Sequence, residues 1–161
     1  MKRLLFILLF VPILGFSQYT AIPDKNFEQA LIGLGYDDVT DGKVLTANIS
    51  NVDSLYLYKK KIKDLKGIEG FIALTFLHCD NNKLKSLDVS KNTALTQLSC
   101  GWNKLTSLDV SGCTALKDLV CYNNQLTSLD LSNNTALKKL DCSSNQLTSL
   151  DVSGCTALKK L

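Results

Sequence analysis

The chain has 161 residues, 45% of them apolar and 20% charged, which suits one folded domain and excludes wholesale disorder. With 2 Pro and 9 Gly it is neither collagen-like nor a linker. Its net charge of +3 falls to +1 once Lys2 and Arg3 are set aside, too little for nucleic-acid binding by bulk charge, and the single His, His78, leaves little material for acid–base or metal chemistry.

The first 17 residues have the three-part pattern of a secretory signal peptide. Lys2-Arg3 precede the apolar run Leu4 to Leu14, and small Gly15 and Ser17 flank a cleavage point before Gln18. The run is shorter than the roughly 20 residues that span a bilayer, and Pro12 interrupts it. No stable membrane span is expected. The rest of the chain is expected to be exported, either secreted or at the cell surface.

Residues 18–51 carry no repeat and read as an N-terminal cap. Asp24 is a helix N-cap. Phe27, Ala30, Leu31 and Leu34 follow at the spacing of one apolar helical face, with Gly35 as a stop. Asp41-Gly42 predicts a turn between Val39 and Val44-Leu45. Asp37, Asp38 and Asp41 raise the question of calcium, but the EF-hand spacing and its closing Glu are missing.

From residue 52 onward the chain repeats. Leu74, Leu77, Cys79, Asn82, Leu84, Leu87 and Val89 recur every 21 residues through Leu137, Leu140, Cys142, Asn145, Leu147, Leu150 and Val152. A degenerate unit of 22 residues precedes them (Val52, Leu55, Leu57, Ile62, Leu65), and a fifth begins at Leu158. A fixed period of this length means a solenoid, because one coil cannot bury its apolar side alone and neighbours must stack. The alternation in Leu98-Ser99-Cys100 puts residues 98 and 100 inside the coil and Ser99 outside. Stacked strands sit about 4.8 Å apart, so five coils give a rod about 25 Å long.

The pattern L-x-x-L-x-C-x-x-N-x-L, with the tail L-T-S-L-D-V-S-x-x-T-A-L, resembles the leucine-rich repeats of secreted, internalin-like bacterial proteins over residues 52–161. The resemblance implies a leucine-rich-repeat solenoid with a parallel β-sheet on the concave side, an N-terminal helical cap, and binding without catalysis or cofactor. The convex side is expected to hold turns or short strands, since 21 residues leave little room for a helix. Relatives often carry further domains, and this chain, stopping inside an expected strand at Lys159-Lys160-Leu161, reads as an N-terminal fragment. Its last coil would leave Leu147, Leu150, Val152 and Leu158 open to self-association.

Residues one period apart form columns. Asn82, Asn103, Asn124 and Asn145 suit hydrogen bonds to backbone or to the next Asn amide. Cys79, Cys100, Cys121 and Cys142 read as reduced core residues; neighbouring strands also lie within disulfide range, and metal is disfavoured by an apolar interior. Cys113 and Cys155 share another column with Asn134 between them, too far apart to bridge. Asp88, Asp109, Asp130 and Asp151 face outward, either capping nearby turns or forming a calcium ladder.

The concave sheet is where the units differ. Its outward positions include Tyr56, Tyr58, Phe76, His78, Asp80, Ser99, Gly101, Asp118, Val120 and Tyr122, and Trp102 follows at a strand end. The aromatics there, with His78 and Asp118, are the candidate ligand-binding residues; aromatics in strands also serve cross-strand pairing. Tyr58, His78, Trp102 and Tyr122 are expected to form one oblique stripe. Lys59, Lys60, Lys61, Lys63 and Lys66 cluster near the first coil, as a solvated face or a site for an acidic partner. No nucleophile–base pair, phosphate loop or metal cluster is spelled out, and His78 has no evident triad partner. The sequence therefore points to a binding module for a protein or cell-surface glycan, or to a spacer presenting other domains.

Overall fold

The computed structural model describes residues 18–161, so the expected signal sequence lies outside the described residues. In chain order the elements are β1 (Tyr19–Ala21), α1 (Lys25–Gly33), β2 (Lys43–Leu45), α2 (Thr46–Ile49), β3 (Ser54–Tyr56), a 3-10 turn (Ile68–Gly70), β4 (Phe76–His78), β5 (Ser86–Asp88), β6 (Gln97–Ser99), β7 (Ser107–Asp109), β8 (Asp118–Val120) and β9 (Lys139–Asp141).

Strands β3, β4, β6, β8 and β9 form one parallel sheet in that order. Leu55, Leu77, Leu98, Leu119 and Leu140 are in register and buried; the residues on either side of each face out. Lys160 continues the sheet as a single parallel bridge to Lys139. On a second wall β5 and β7 pair in parallel, the short convex strands that the period leaves room for. The structure is a leucine-rich-repeat solenoid.

Each Asn of the first column closes its coil. Asn103 donates through Nδ2 to the carbonyls of Cys79, Cys100 and Gly101 at 3.1–3.2 Å, and its Oδ1 accepts from Leu84 N at 3.1 Å. Asn82, Asn124 and Asn145 repeat the set. The amide-to-amide option is not used, because both ends of each side chain are already taken by backbone.

All six cysteines are free thiols. Burial pushes the thiols up, Cys121 to about 12 and Cys113 to about 11, with Cys79 and Cys100 also raised by burial. None is a thiolate at neutral pH, and it is the thiolate that attacks disulfides and binds metals. The other column proves to be Asn92, Cys113, Asn134 and Cys155. Asn92 and Asn134 are fully buried, and Nδ2 of Asn134 donates to Val110 and Cys113 carbonyls at 3.1 and 2.9 Å. In the intervening coil Cys113 Sγ points at the Val89 carbonyl, 3.2 Å away.

Each Asp of the outward column caps its turn. Asp88, Asp109, Asp130 and Asp151 accept from the backbone N–H two residues on, at 2.8–2.9 Å. Hydrogen bonds from Ser111, Ser132 and Ser153 hold the Asp109, Asp130 and Asp151 carboxyls below the usual range. A lowered folded value means a stabilising contribution that is complete above the ordinary carboxylate value of about 3.9 and lost as pH falls through the folded one. The urea midpoint should therefore fall between about pH 5 and pH 3. Asp109→Asn/Asp130→Asn/Asp151→Asn keeps an acceptor without the titration and should flatten that fall; an unchanged slope would assign the acid sensitivity elsewhere.

The chain bends at Asp41-Gly42 as expected, with Gly42 at φ 87°, but the bend does not close a hairpin. β2 does not pair with the segment around Val39, which is 52% exposed, but runs antiparallel to β1 at the start of the described chain. What fixes the turn is Glu28, buried on α1, whose Oε1 accepts from the N–H groups of Asp41, Gly42 and Lys43. Phe27, Ala30 and Leu31 are buried as the helical spacing predicts, but Leu34 ends the helix at 42% exposure. Asp24 joins cap to array: one oxygen caps α1 at Asn26 and Phe27, and the other accepts from Lys63 and Asp64 in the first coil. Phe27 stacks on Phe71 across the same joint.

Candidate concave binding face

The short strands bring four rings from the first two coils together. Tyr56 lies 4.9 Å from Phe76, and Tyr58 lies 5.5 Å from His78, between ring centroids. Tyr56 and Phe76 also meet the imidazole edge-on, at 6.4 and 6.5 Å. A second cluster stands at the strand ends of the next two coils, where Trp102 and Tyr122 make an edge-to-face pair at 6.3 Å. Tyr56, Tyr58 and Trp102 are 57%, 45% and 53% exposed.

The two clusters do not form the continuous stripe expected. Asp80, Ser99 and Gly101 lie between them. Asp80 occupies an outward position, as its place in the repeat requires, yet its carboxylate folds down onto the next strand and is buried. Its Oδ1 accepts from Ser99 Oγ and from Gly101 N, both at 2.8 Å, and its Oδ2 lies 3.4 Å from His78 Nε2. Gly101 makes room here: a Cβ would lie 2.6 Å from the Tyr122 ring as placed, and without one that ring lies on the strand.

This is the partner that the sequence did not reveal for His78, and its geometry bears on catalysis. The carboxylate is the central group, and the serine donates to it rather than to the imidazole. A nucleophilic serine needs the histidine as its base, with the carboxylate behind the histidine; the order here instead ties His78 and two neighbouring strands to one fixed anion. Among the described residues no group of three or more His, Cys, Asp or Glu side chains is arranged to hold a metal ion.

Trp102 has a left-handed backbone, φ 50°. The equivalent residues in the other units are Lys59, Asn81, Asn123 and Ser144, also left-handed. Asn tolerates that region and bulky residues do not. Toward the last coils the face turns polar: half-buried Asp118 lies 3.9 Å from Lys139 Nζ, and Asp141 accepts from Ser143. The lysines near the first coil are all exposed.

Residues 39–145 match the family described as the Endo-beta-N-acetylglucosaminidase EndoS LRR domain. Among solved structures, the chain is similar to the functional domain of InlJ from Listeria monocytogenes, described as including a cysteine ladder. The identity is 38% and the TM-score 0.81, covering 90% of this chain and 33% of that one. It is also similar to the internalin InlF of the same organism, at 22% identity and TM-score 0.75 over 87% of this chain and 43% of that one. A Leptospira interrogans leucine-rich-repeat protein matches at 23% identity and TM-score 0.65, over 72% of this chain and 32% of that one. At the identities of these last two the likeness is one of fold. The chain spans less than half the length of each of these three structures. No curated protein matches its sequence.

Proposed function

Because the chain belongs to the family of the EndoS leucine-rich-repeat domain, internalin-like in its fold, we propose that it is a non-catalytic binding module that grips a protein through its concave sheet. The observation that carries this reading is the pair of aromatic clusters, Tyr56/Tyr58/Phe76/His78 and Trp102/Tyr122, on the concave wall, with Tyr56, Tyr58 and Trp102 exposed. Rigid aromatics bury large area at little entropic cost, which is what interface hot spots require. Trp102 adds a second argument. A bulky residue in the left-handed region costs on the order of 1 kcal/mol, and the other units place Lys59, Asn81, Asn123 and Ser144 there, none of them aromatic. A cell-surface glycan stacking on the same rings is the other ligand this face suits. We read residues 1–17 as an export signal, so that the module works outside the cytoplasm. The half-buried Leu147, Leu150 and Val152 of the last coil are where a further coil or a second copy would pack.

The test compares Tyr56→Ser/Tyr58→Ser with Asp109→Ala on the opposite wall. A ligand captured by the wild-type protein should bind the first variant at least tenfold more weakly, about 1.4 kcal/mol, and the second as tightly as wild type. Melting temperatures should stay within a few degrees, since both tyrosines are exposed. Undiminished affinity in the tyrosine variant would move the site off the concave face and favour a spacer that presents other domains.

A further inference from the structure

The side wall just beyond the strand ends carries a feature that the repeat does not need. Position by position, Lys61, Lys83 and Lys104 stand where the later units carry Gln125 and Gln146. Lys63 and Lys85 stand where they carry Thr106, Thr127 and Thr148. Backbone bonds from Lys83 N to the Ile62 carbonyl and from Lys104 N to the Leu84 carbonyl set these residues in stacked rows, with about 4.8 Å between rungs. Lys63, Lys83, Lys85 and Lys104 line a shallow groove of about 190 Å³ between the rows.

The rows are not neutralised from within. None of these lysines makes an ion pair among the described residues. Asp24 and Asp64 of the same region turn their oxygens to backbone, Asp24 to four N–H groups and Asp64 to Lys66 N. Residues 59–104 hold nine lysines and four acids, while 105–161 hold five of each, so the excess belongs to this stretch alone. Stacked like charges repel, and the Gln and Thr of the later units show that the coil closes without them.

We propose that this lysine wall is a second binding surface, separate from the concave face, and that it takes a linear anionic polysaccharide with spaced sulfates or carboxylates. The charges are compact ammonium groups; the only Arg in the chain is Arg3, so the bidentate fork favoured for phosphate recognition is missing. Two short rows along the rod axis match a single flexible chain with one charge every unit or two. A rigid duplex or a flat membrane would extend past the rows toward the cap, where residues 18–58 hold six acids and two lysines, an excess of negative charge. Lys59, whose Nζ sits 5.0 Å from the Tyr58 ring, marks the corner where the wall meets the aromatic face.

The experiment is calorimetric titration of the mature chain with heparin at several salt concentrations. The variant is Lys63→Thr/Lys83→Gln/Lys85→Thr/Lys104→Gln, whose new residues are those the protein already uses at the same places. Wild type should bind with affinity falling linearly on a logarithmic salt scale, as expected when counterions are released. The variant should bind at least tenfold more weakly while melting no lower. Lys83→Gln/Lys104→Gln should lie between the two and keeps the test decisive if the fourfold variant folds poorly. Tyr56→Ser/Tyr58→Ser should bind heparin as wild type does, which separates this surface from the concave one. No binding by wild type, undiminished binding by the lysine variants, or equal binding of double-stranded DNA or phosphatidylserine vesicles at matched salt would each overturn the proposal.

Discussion

Asn103→Ala should lower the stability of the array by about 3 kcal/mol or more, one of the two largest effects expected of a single substitution. The side chain accepts from Leu84 N and donates to three carbonyls in two coils. Alanine leaves a buried N–H without a partner, and the desolvated carbonyls lose theirs, at about 1–3 kcal/mol for each group left unpaired. Asn145 makes the same bonds but is only half-buried, so water can replace them. Asn145→Ala should therefore cost clearly less. Urea unfolding of the two variants checks both the size and the order; equal midpoints would show that the column is not what closes the coils.

Gly112→Ala should cost a similar amount for a steric reason. A Cβ on Gly112 would fall inside the contact radius of the Ser90 carbonyl oxygen in the preceding coil, a backbone atom that can yield only if the coil shifts. Overpacking of this kind costs about 1–3 kcal/mol and occasionally more. Gly154, one alternate coil on, would meet the Ser132 oxygen at 3.2 Å. There a shift of a few tenths of an ångström suffices, so Gly154→Ala should cost less than about 1 kcal/mol. Thermal unfolding distinguishes the two; equally mild variants would mean that the coils slide past one another freely.

The columns were legible because repetition repeats their cause. Four Asn and four Cys at one spacing face one environment, so the inward direction of one is the inward direction of all. The concave positions were legible for the same reason, since alternation in a strand fixes which side chains point out. What a side chain does after leaving the strand was not. Asp80 points outward by position and is buried in fact, because Ser99 and Gly101 on the next strand supply its hydrogen bonds. Glu28 was invisible because its three donors come from a loop 13–15 residues away. The turn at Asp41-Gly42 was read locally, whereas β2 had its partner at the start of the described residues. The lysine wall was half seen: residues 59–66 form a run along the chain, but Lys83, Lys85 and Lys104 join it only when the coils stack.

The alternation of Asn92, Cys113, Asn134 and Cys155 has a consequence for how such a chain can lengthen. Lys91 and Asn133 precede the two Asn, and Gly112 and Gly154 precede the two Cys. In one kind of coil a long amide arm reaches across to the preceding layer; in the other a bare backbone comes close enough for a thiol to do so. From Cys113 onward each layer is thus fitted to a neighbour of the opposite kind, while Asn92 reaches the Ile68 and Phe71 carbonyls of the first coil. Duplicating one coil in the gene would set two layers of the same kind against each other, while duplicating a pair of 42 residues copies both fits intact. A one-coil duplication should therefore melt lower than a two-coil duplication, and equal melting temperatures would show that the two kinds of coil are interchangeable.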